Sequence, residues 1–262
     1  MKNISCLFLG LSIFVGGCFA QETLNPCDIK IGEHSSVTPV AQDPNLVKWW
    51  PSRHKEKLEE VKQKKGNVDL LMIGDSITHR WENDGNDVWQ KYYANRKPLN
   101  IGFGGDRTQH VLWRLQNGEI EGISPKLGVL MIGTNRATTE TPQMRADGIK
   151  AIVSELRNKL PNTKILVLGV FPRGSSKQRK SKIGDAEYNE RWEQNDKINE
   201  IICNLADDKM IYYLDIGKIF LSDKGLVSRD VLPDLVHPNQ KGYQAWAEAM
   251  EPKIAELMGE KK

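Results

Sequence analysis

Short apolar runs punctuate an otherwise polar chain. "VDLLMIG" (68–74), "KLGVLMIG" (126–133), "KILVLGV" (164–170) and "MIYYLDI" (210–216) stand out, and "PLNIGF" (98–103) is a weaker companion. Runs of this length without polar alternation predict strands covered on both faces, as in a parallel sheet. Between them, apolar residues recur at helical spacing over 108–118, 141–160, 186–206 and 239–258. The segment "WWPSRHKEKLEEVKQKK" (49–65) carries Leu58 and Val61 among charges and stops at Gly66, which predicts a solvated amphipathic helix. Strand–helix alternation with short connections predicts one α/β domain, a doubly wound parallel sheet, over residues 46–262.

The start of the chain reads differently. Lys2 precedes an apolar run from Leu7 to Val15 that ends in Gly16 and Gly17. This pattern predicts a secretory signal peptide over residues 1–20, too short for a permanent membrane span. Two cleavage patterns coexist. Val15-Gly16-Gly17-Cys18 resembles a lipobox that would leave Cys18 lipidated, and Cys18-Phe19-Ala20 fits a small-x-small cut before Gln21. The expectation is an exported protein, either periplasmic or an outer-membrane or cell-surface lipoprotein. Its membrane contact would be an N-terminal lipid anchor. Residues 21–45, with Pro26, Gly32, Pro39 and Pro44, read as an extended leader or tether. Export would place Cys27 and Cys203 in an oxidising compartment, where they pair or stay apart.

Charge narrows the classes further. The 262 residues hold 37 Lys and Arg against 34 Asp and Glu, a net +3. That balance is too mild for a dedicated nucleic-acid binder. Four cysteines at positions 6, 18, 27 and 203 make neither a disulfide scaffold nor a closed four-cysteine zinc site.

Chemistry collects where the apolar runs end. The loops are Gly74-Asp75-Ser76, Gly102-Phe103-Gly104-Gly105-Asp106 and Gly133-Thr134-Asn135, joined late in the chain by Asp234-Leu235-Val236-His237-Pro238. In doubly wound sheets, the working residues sit on such loops. A serine hydroxyl needs a neighbouring base before it becomes a nucleophile. His237 can be that base, and Asp234, three residues earlier, can hold the imidazole tautomer. The developing oxyanion needs fixed donors. The Ser76 N–H at a strand-to-helix turn, the Gly105 N–H and the Asn135 amide can supply them. Ile77, Thr134 and Val236 neighbour these groups in sequence and are expected to line a small acyl pocket suited to acetyl. His79 reads as a residue of the first helical turn or its rim, and His110 as a packed or hydrogen-bonded histidine, rather than as bases. Trp81, Trp89 and Trp113 read as core rather than sugar platforms. The basic stretch "RGSSKQRKSK" (173–182) reads as a solvated loop or as a rim over the cleft.

These blocks carry a family resemblance. "GDSIT", "GFGGD", "GTN" and "DLVHP", in that order, resemble the sequence blocks of the SGNH (GDSL) hydrolases. The stretch 100–135, "VLGVFPRG" (167–174) and "WWPSRH" (49–54) are similar to the catalytic subunits of the type IB platelet-activating-factor acetylhydrolases. The resemblance implies a three-layer flavodoxin-like sheet of about five strands and ester hydrolysis without a cofactor or metal. It implies Ser76 as nucleophile, His237 as base, Asp234 as its orienter, and Ser76, Gly105 and Asn135 as oxyanion donors. The residue after "GTN" is often Asn in this group; here it is Arg136, a cation at the cleft rim expected to affect substrate choice. An exported chain of this type also resembles sugar O-acetylesterases. The expected partner is a small-molecule or glycan ester, and the resembled subunits pair, so a homodimer is compatible.

Three other readings compete. Asp75, Asp106, Asn135, Asp234 and His237 could ligate a two-metal phosphoesterase centre, but no His-x-His or Asn-His-Glu cluster accompanies them. Gly102-x-Gly104 begins a dinucleotide fingerprint whose third glycine is replaced by Arg107. A non-catalytic glycan binder on the same fold is disfavoured because every catalytic position is present.

Overall fold

The computed structural model describes residues 32–136 and 138–260. The signal peptide, Cys18 and Cys27 lie outside them. Helix α1 (Trp50–Gln63) leads into strand β1 (Leu70–Gly74). Helices α2 (Ser76–His79) and α3 (Asn86–Tyr92) then connect to β2 (Pro98–Gly102). The chain continues through α4 (Thr108–Gln116), β3 (Leu127–Met131), α5 (Pro142–Lys159) and β4 (Lys164–Leu168). It ends with α6 (Ser176–Ser181), α7 (Glu190–Ile202), β5 (Ile211–Leu214) and α8 (Gln240–Met258).

The strands form one parallel sheet in the order β2-β1-β3-β4-β5. β1 lies between β2 and β3, with Leu70 opposite Pro98 on one side and Leu127 on the other. The chain leaves β1 for one edge and returns to its other side at β3. This reversal opens a crevice at the carboxyl ends of β1 and β3. Alternation along β1 sorts the core into two layers. Leu71 and Ile73 pack with Val111, Ile149, Ile152 and Ile198, whereas Leu70 and Met72 pack with Trp81, Tyr243, Trp246 and Met250. Both faces are therefore apolar, and the run reads as continuous.

Glycines set how closely the first loop approaches the sheet. A Cβ on Gly74 would lie 2.2 Å from Thr78 Oγ1, and one on Gly102 would lie 2.4 Å from the His79 nitrogen. Helix α2 thus rests directly on the ends of β1 and β2. Asp75 caps α2 by accepting the Ile77 N–H at 2.9 Å. Asn239 caps α8 by accepting the Gly242 N–H at 2.9 Å, so that helix begins three residues after His237.

Short helices depart from the expectation. The basic stretch contains α6, capped by Ser175 and Gln178 in a reciprocal box. The described part of the 21–45 segment lies on the domain: Thr108 Oγ1 donates to the Ser36 carbonyl at 2.7 Å, and the Val40 N–H reaches the Gln109 carbonyl at 3.3 Å.

Candidate active site

Ser76 opens α2 at the carboxyl end of β1, and His237 arrives from the loop before α8. Ser76 Oγ lies 2.9 Å from His237 Nε2, and His237 Nδ1 lies 2.8 Å from Asp234 Oδ2. Residues 161 positions apart in the chain are thus within one hydrogen bond. The other Asp234 oxygen accepts the N–H groups of Val236, at 3.0 Å, and His237, at 2.7 Å. Burial opposes ionisation of Asp234, but hydrogen bonds from His237 and the charge of Arg179 hold its carboxyl well below the usual range. The carboxylate therefore stays charged at working pH and accepts the imidazole N–H.

The loop is held in an uncommon backbone shape. Leu235 has φ +61° and is fully buried. A left-handed leucine costs on the order of 1–2 kcal/mol, offset here by packing and by the 2.9 Å bond from the Gly174 N–H to its carbonyl. A Cβ on Gly174 would meet the Leu235 Cβ at 2.8 Å, so glycine is what lets the two segments touch.

Candidate donors lie in the neighbouring loops. Gly105 has φ +76° in the loop after β2, a conformation that suits glycine. Among the described residues, the N–H groups of Ser76 and Gly105 donate to no acceptor. The Asn135 amide donates to the Asp106 carbonyl at 3.0 Å and lies 3.4 Å from Asp75 Oδ2. The Nδ2 group thus donates to Asp106 and, at longer range, to Asp75, which fixes the amide against the loop that carries Ser76. His79 braces the glycine loop: its Nδ1 accepts the Gly104 N–H at 3.2 Å. Burial and the Arg53 charge lower the His79 pKa to about 4, so the ring is neutral and can accept. His110 likewise accepts the Arg107 N–H at 3.1 Å and is pushed down to about 3 by burial.

Two buried acids flank these donors. Burial and the charge of Asp106 push Asp75 up to about 7, against the bond from Ile77. Asp106 receives Arg114 Nε at 2.8 Å, Trp50 Nε1 at 2.9 Å and Gln42 Nε2 at 2.6 Å. Arg114 also bonds Glu119, whose other oxygen meets His54 Nδ1 at 2.8 Å. The proposed metal-ligand set does not converge. Asp106 is committed to Arg114 and Asp234 to His237, and no described group of three or more His, Cys, Asp or Glu is placed to share an ion.

The remaining predicted residues fall as follows. Ile77, Thr134 and Val236 are all buried, and Ile77 and Val236 belong to the layer containing Trp81 and Leu235. Thr134 Oγ1 accepts from Arg173 at 3.0 Å. Arg136 is half-buried next to Asn135. Trp81 packs in the core with Tyr243, at 4.4 Å between ring centroids, and Trp113 packs on Trp50, at 5.5 Å.

Sequence reasoning missed Arg173, Arg179 and Arg191. The basic stretch holding the first two is no solvated loop where they stand. Arg173 is buried, and Arg179 donates to both the carbonyl and the carboxylate of Asp234, each at 3.0 Å. Its position after a strand end was the available signal.

The family model of the GDSL-like lipase/acylhydrolases matches residues 72–245, which includes Ser76, Gly105, Asn135, Asp234 and His237. The chain belongs to that family. Platelet-activating factor acetylhydrolase IB subunit alpha1 of Rattus norvegicus is 35% identical over 231 residues, covering 86% of this chain and 90% of the relative. The alpha2 subunit of Mus musculus is 32% identical over 227 residues, with 86% and 92% covered. Among solved structures, a GDSL-like lipase from Bacteroides thetaiotaomicron superposes with a TM-score of 0.62 at 17% identity, covering 78% of this chain and 97% of that one. The carbohydrate acetylesterase Est24 of Sinorhizobium meliloti superposes with a TM-score of 0.56 at 16% identity, covering 72% and 99%. These two likenesses show the shared fold. This GDSL-family chain is a carboxylic ester hydrolase, as the expectation held.

Proposed function

We propose that the protein is a serine esterase that removes small acyl groups, acetyl above all, from carbohydrate O-acetyl esters. The observation that carries this reading is the unbroken relay Ser76 Oγ, His237, Asp234, with contacts of 2.9 and 2.8 Å. In the first step, Ser76 attacks the ester carbonyl while His237 Nε2 takes its proton, and Asp234 stabilises the imidazolium. The oxyanion is received by the N–H groups of Ser76 and Gly105 and by the Asn135 amide. His237 then passes the proton to the departing alkoxide. Water, deprotonated by the same imidazole, resolves the acyl-enzyme. Buried Ile77, Thr134 and Val236 close the acyl side against long chains.

Two kinds of support bear on the substrate. Relatives across most of the chain are named acetylhydrolases. A neighbour in fold is named a carbohydrate acetylesterase. The relatives' names also favour a second reading, hydrolysis of short-chain phospholipid acetyl esters. For location, the apolar stretch before Cys18 supports export, with or without a lipid anchor at that cysteine.

The decisive experiment is Ser76→Ala. The variant should lose p-nitrophenyl acetate hydrolysis while keeping the circular dichroism spectrum of the wild type. Retained turnover would overturn the nucleophile assignment. A screen of acetylated sugars against acetylated short-chain phospholipids then separates the two substrate readings.

A further inference from the structure

Four arginines crowd the loop that carries Asn135. Arg136 follows Asn135, Arg145 lies on α5, Arg173 follows β4, and Arg191 sits in the first turn of α7. Three of them converge on one stretch of backbone. The Thr134 carbonyl accepts from Arg173 at 3.2 Å and from Arg191 at 2.8 Å, and the Gly133 carbonyl accepts from Arg145 at 2.8 Å.

Their hydrogen-bond partners are unusual for buried cations. Arg145 otherwise touches the amide oxygens of Asn195 and Gln194, at 3.4 and 3.2 Å, and Arg136 reaches the Thr138 carbonyl at 3.4 Å. Every one of these acceptors is a neutral oxygen. Among the described residues, none of the four guanidinium groups is salt-bridged, although other arginines of the domain, such as Arg114 and Arg96, are. The Nε–H of each is buried without an acceptor among the described residues. Carboxylates act on them only at longer range: Glu140 on Arg145, Asp75 and Asp234 on Arg173, and Glu190 on Arg191. Glu140 binds Arg107 at 3.2 Å and Gln109 at 3.1 Å, Asp234 binds His237 and Arg179, and Asp75 caps α2. Burial and mutual repulsion lower the pKa values of Arg145, Arg173 and Arg191, as expected of cations short of counter-charge.

Buried charge is normally paired. A cluster of forked donors without anions, beside an ester-cleaving serine, matches the recognition of carboxylate and phosphate groups. We propose that Arg136, Arg173 and Arg191 form a subsite for an anionic group on the alcohol part of the substrate. The substrate is then an acylated acidic sugar, bearing a carboxylate or a phosphate near the ester. This deepens the esterase reading and rests on it. Arg136 and Arg191 are the half-exposed members that would meet the anion, and Arg173 lies behind them as a fixed positive charge.

The test uses binding, so that it does not depend on turnover. Full-length Ser76→Ala is titrated calorimetrically with glucuronate, with its neutral methyl ester and with glucose 6-phosphate. At least one anion should bind about tenfold or more tightly than the neutral ester. Which anion does so identifies carboxylate or phosphate as the recognised group. Arg136→Gln in the same background should erase most of that preference. Arg191→Gln, with folding checked by circular dichroism, should do the same. Equal affinity for anions and neutral ester, or preference untouched by both substitutions, overturns the subsite. Hydrolysis of p-nitrophenyl acetate by the wild type reports separately on the esterase reading.

Discussion

Arg179 and His237 share one oxygen of Asp234. The guanidinium Nη2 lies 3.0 Å from Asp234 Oδ2, and the imidazole Nδ1 lies 2.8 Å from the same atom. The arginine also holds the Asp234 carbonyl through Nε. Two donors on one acceptor fix where the carboxylate points, and the carboxylate fixes the imidazole. This matters because the Asp234 side chain is 43% exposed and has little packing to hold it.

Replacing Arg179 should therefore slow chemistry without abolishing it. For Arg179→Gln, we expect kcat on p-nitrophenyl acetate to fall on the order of tenfold, short of the ~10²-fold that an ångström of misplacement can cost. KM should change little. Steady-state kinetics beside wild type checks the split, and an unchanged kcat would make Arg179 a bystander.

Asn135→Ala removes the side-chain donor while leaving the relay intact. Loss of one such donor should lower kcat by about 10²–10³-fold. The serine should still react with a fluorophosphonate probe, which separates a missing donor from a collapsed site.

Gly102→Ala tests how far the nucleophile depends on the contact between helix α2 and the sheet. Its new methyl would lie 2.4 Å from the His79 nitrogen and 2.6 Å from the Thr78 carbonyl carbon, both backbone atoms that cannot swing away. Overpacking of this kind costs about 1–3 kcal/mol. Urea unfolding should show that loss, and kcat should drop with it because α2 carries Ser76.

Asp75 predicts a pH dependence of stability with a definite sign. Its carboxyl titrates at about 7 when folded against 3.8 unperturbed. Between those values, the folded state holds the extra proton, so stability falls as pH rises, by about 1.4 kcal/mol per unit for one group. His79 works the other way: it titrates at about 4 when folded against 6.5 unperturbed, so its contribution rises with pH in that window. Asp75→Asn deletes only the first effect. Melting temperatures of wild type and variant, compared across this range, should diverge in slope. Parallel curves would remove Asp75 as the source.

Much of the architecture was legible because parallel strands buried on both faces leave unbroken apolar runs, as at Leu70–Gly74 and Leu127–Met131. Ser76, Gly105, Asn135, Asp234 and His237 were legible because each ends such a run or precedes a helix. The supporting polar residues were not. Gln42 and Asp106 are 64 positions apart, and Arg179 and Asp234 are 55 apart. Their pairing follows from where loops meet in space, which no local pattern encodes. The short helices α3 and α6 escaped for a related reason. With so few turns, they lack a readable period and owe their shape to caps and to the surface beneath them.

Gln42 donates to the Gly104 carbonyl at 3.1 Å and to the Asp106 carboxylate, bracketing the glycine whose N–H faces the reaction. The strand of chain ahead of α1 is therefore a buttress. Were it to peel from the surface, the sheet would endure, but the turn around Gly105 would lose its outer wall. Catalytic vigour would then fade before the protein melts, and the earliest casualty of heat would be the precision of one amide.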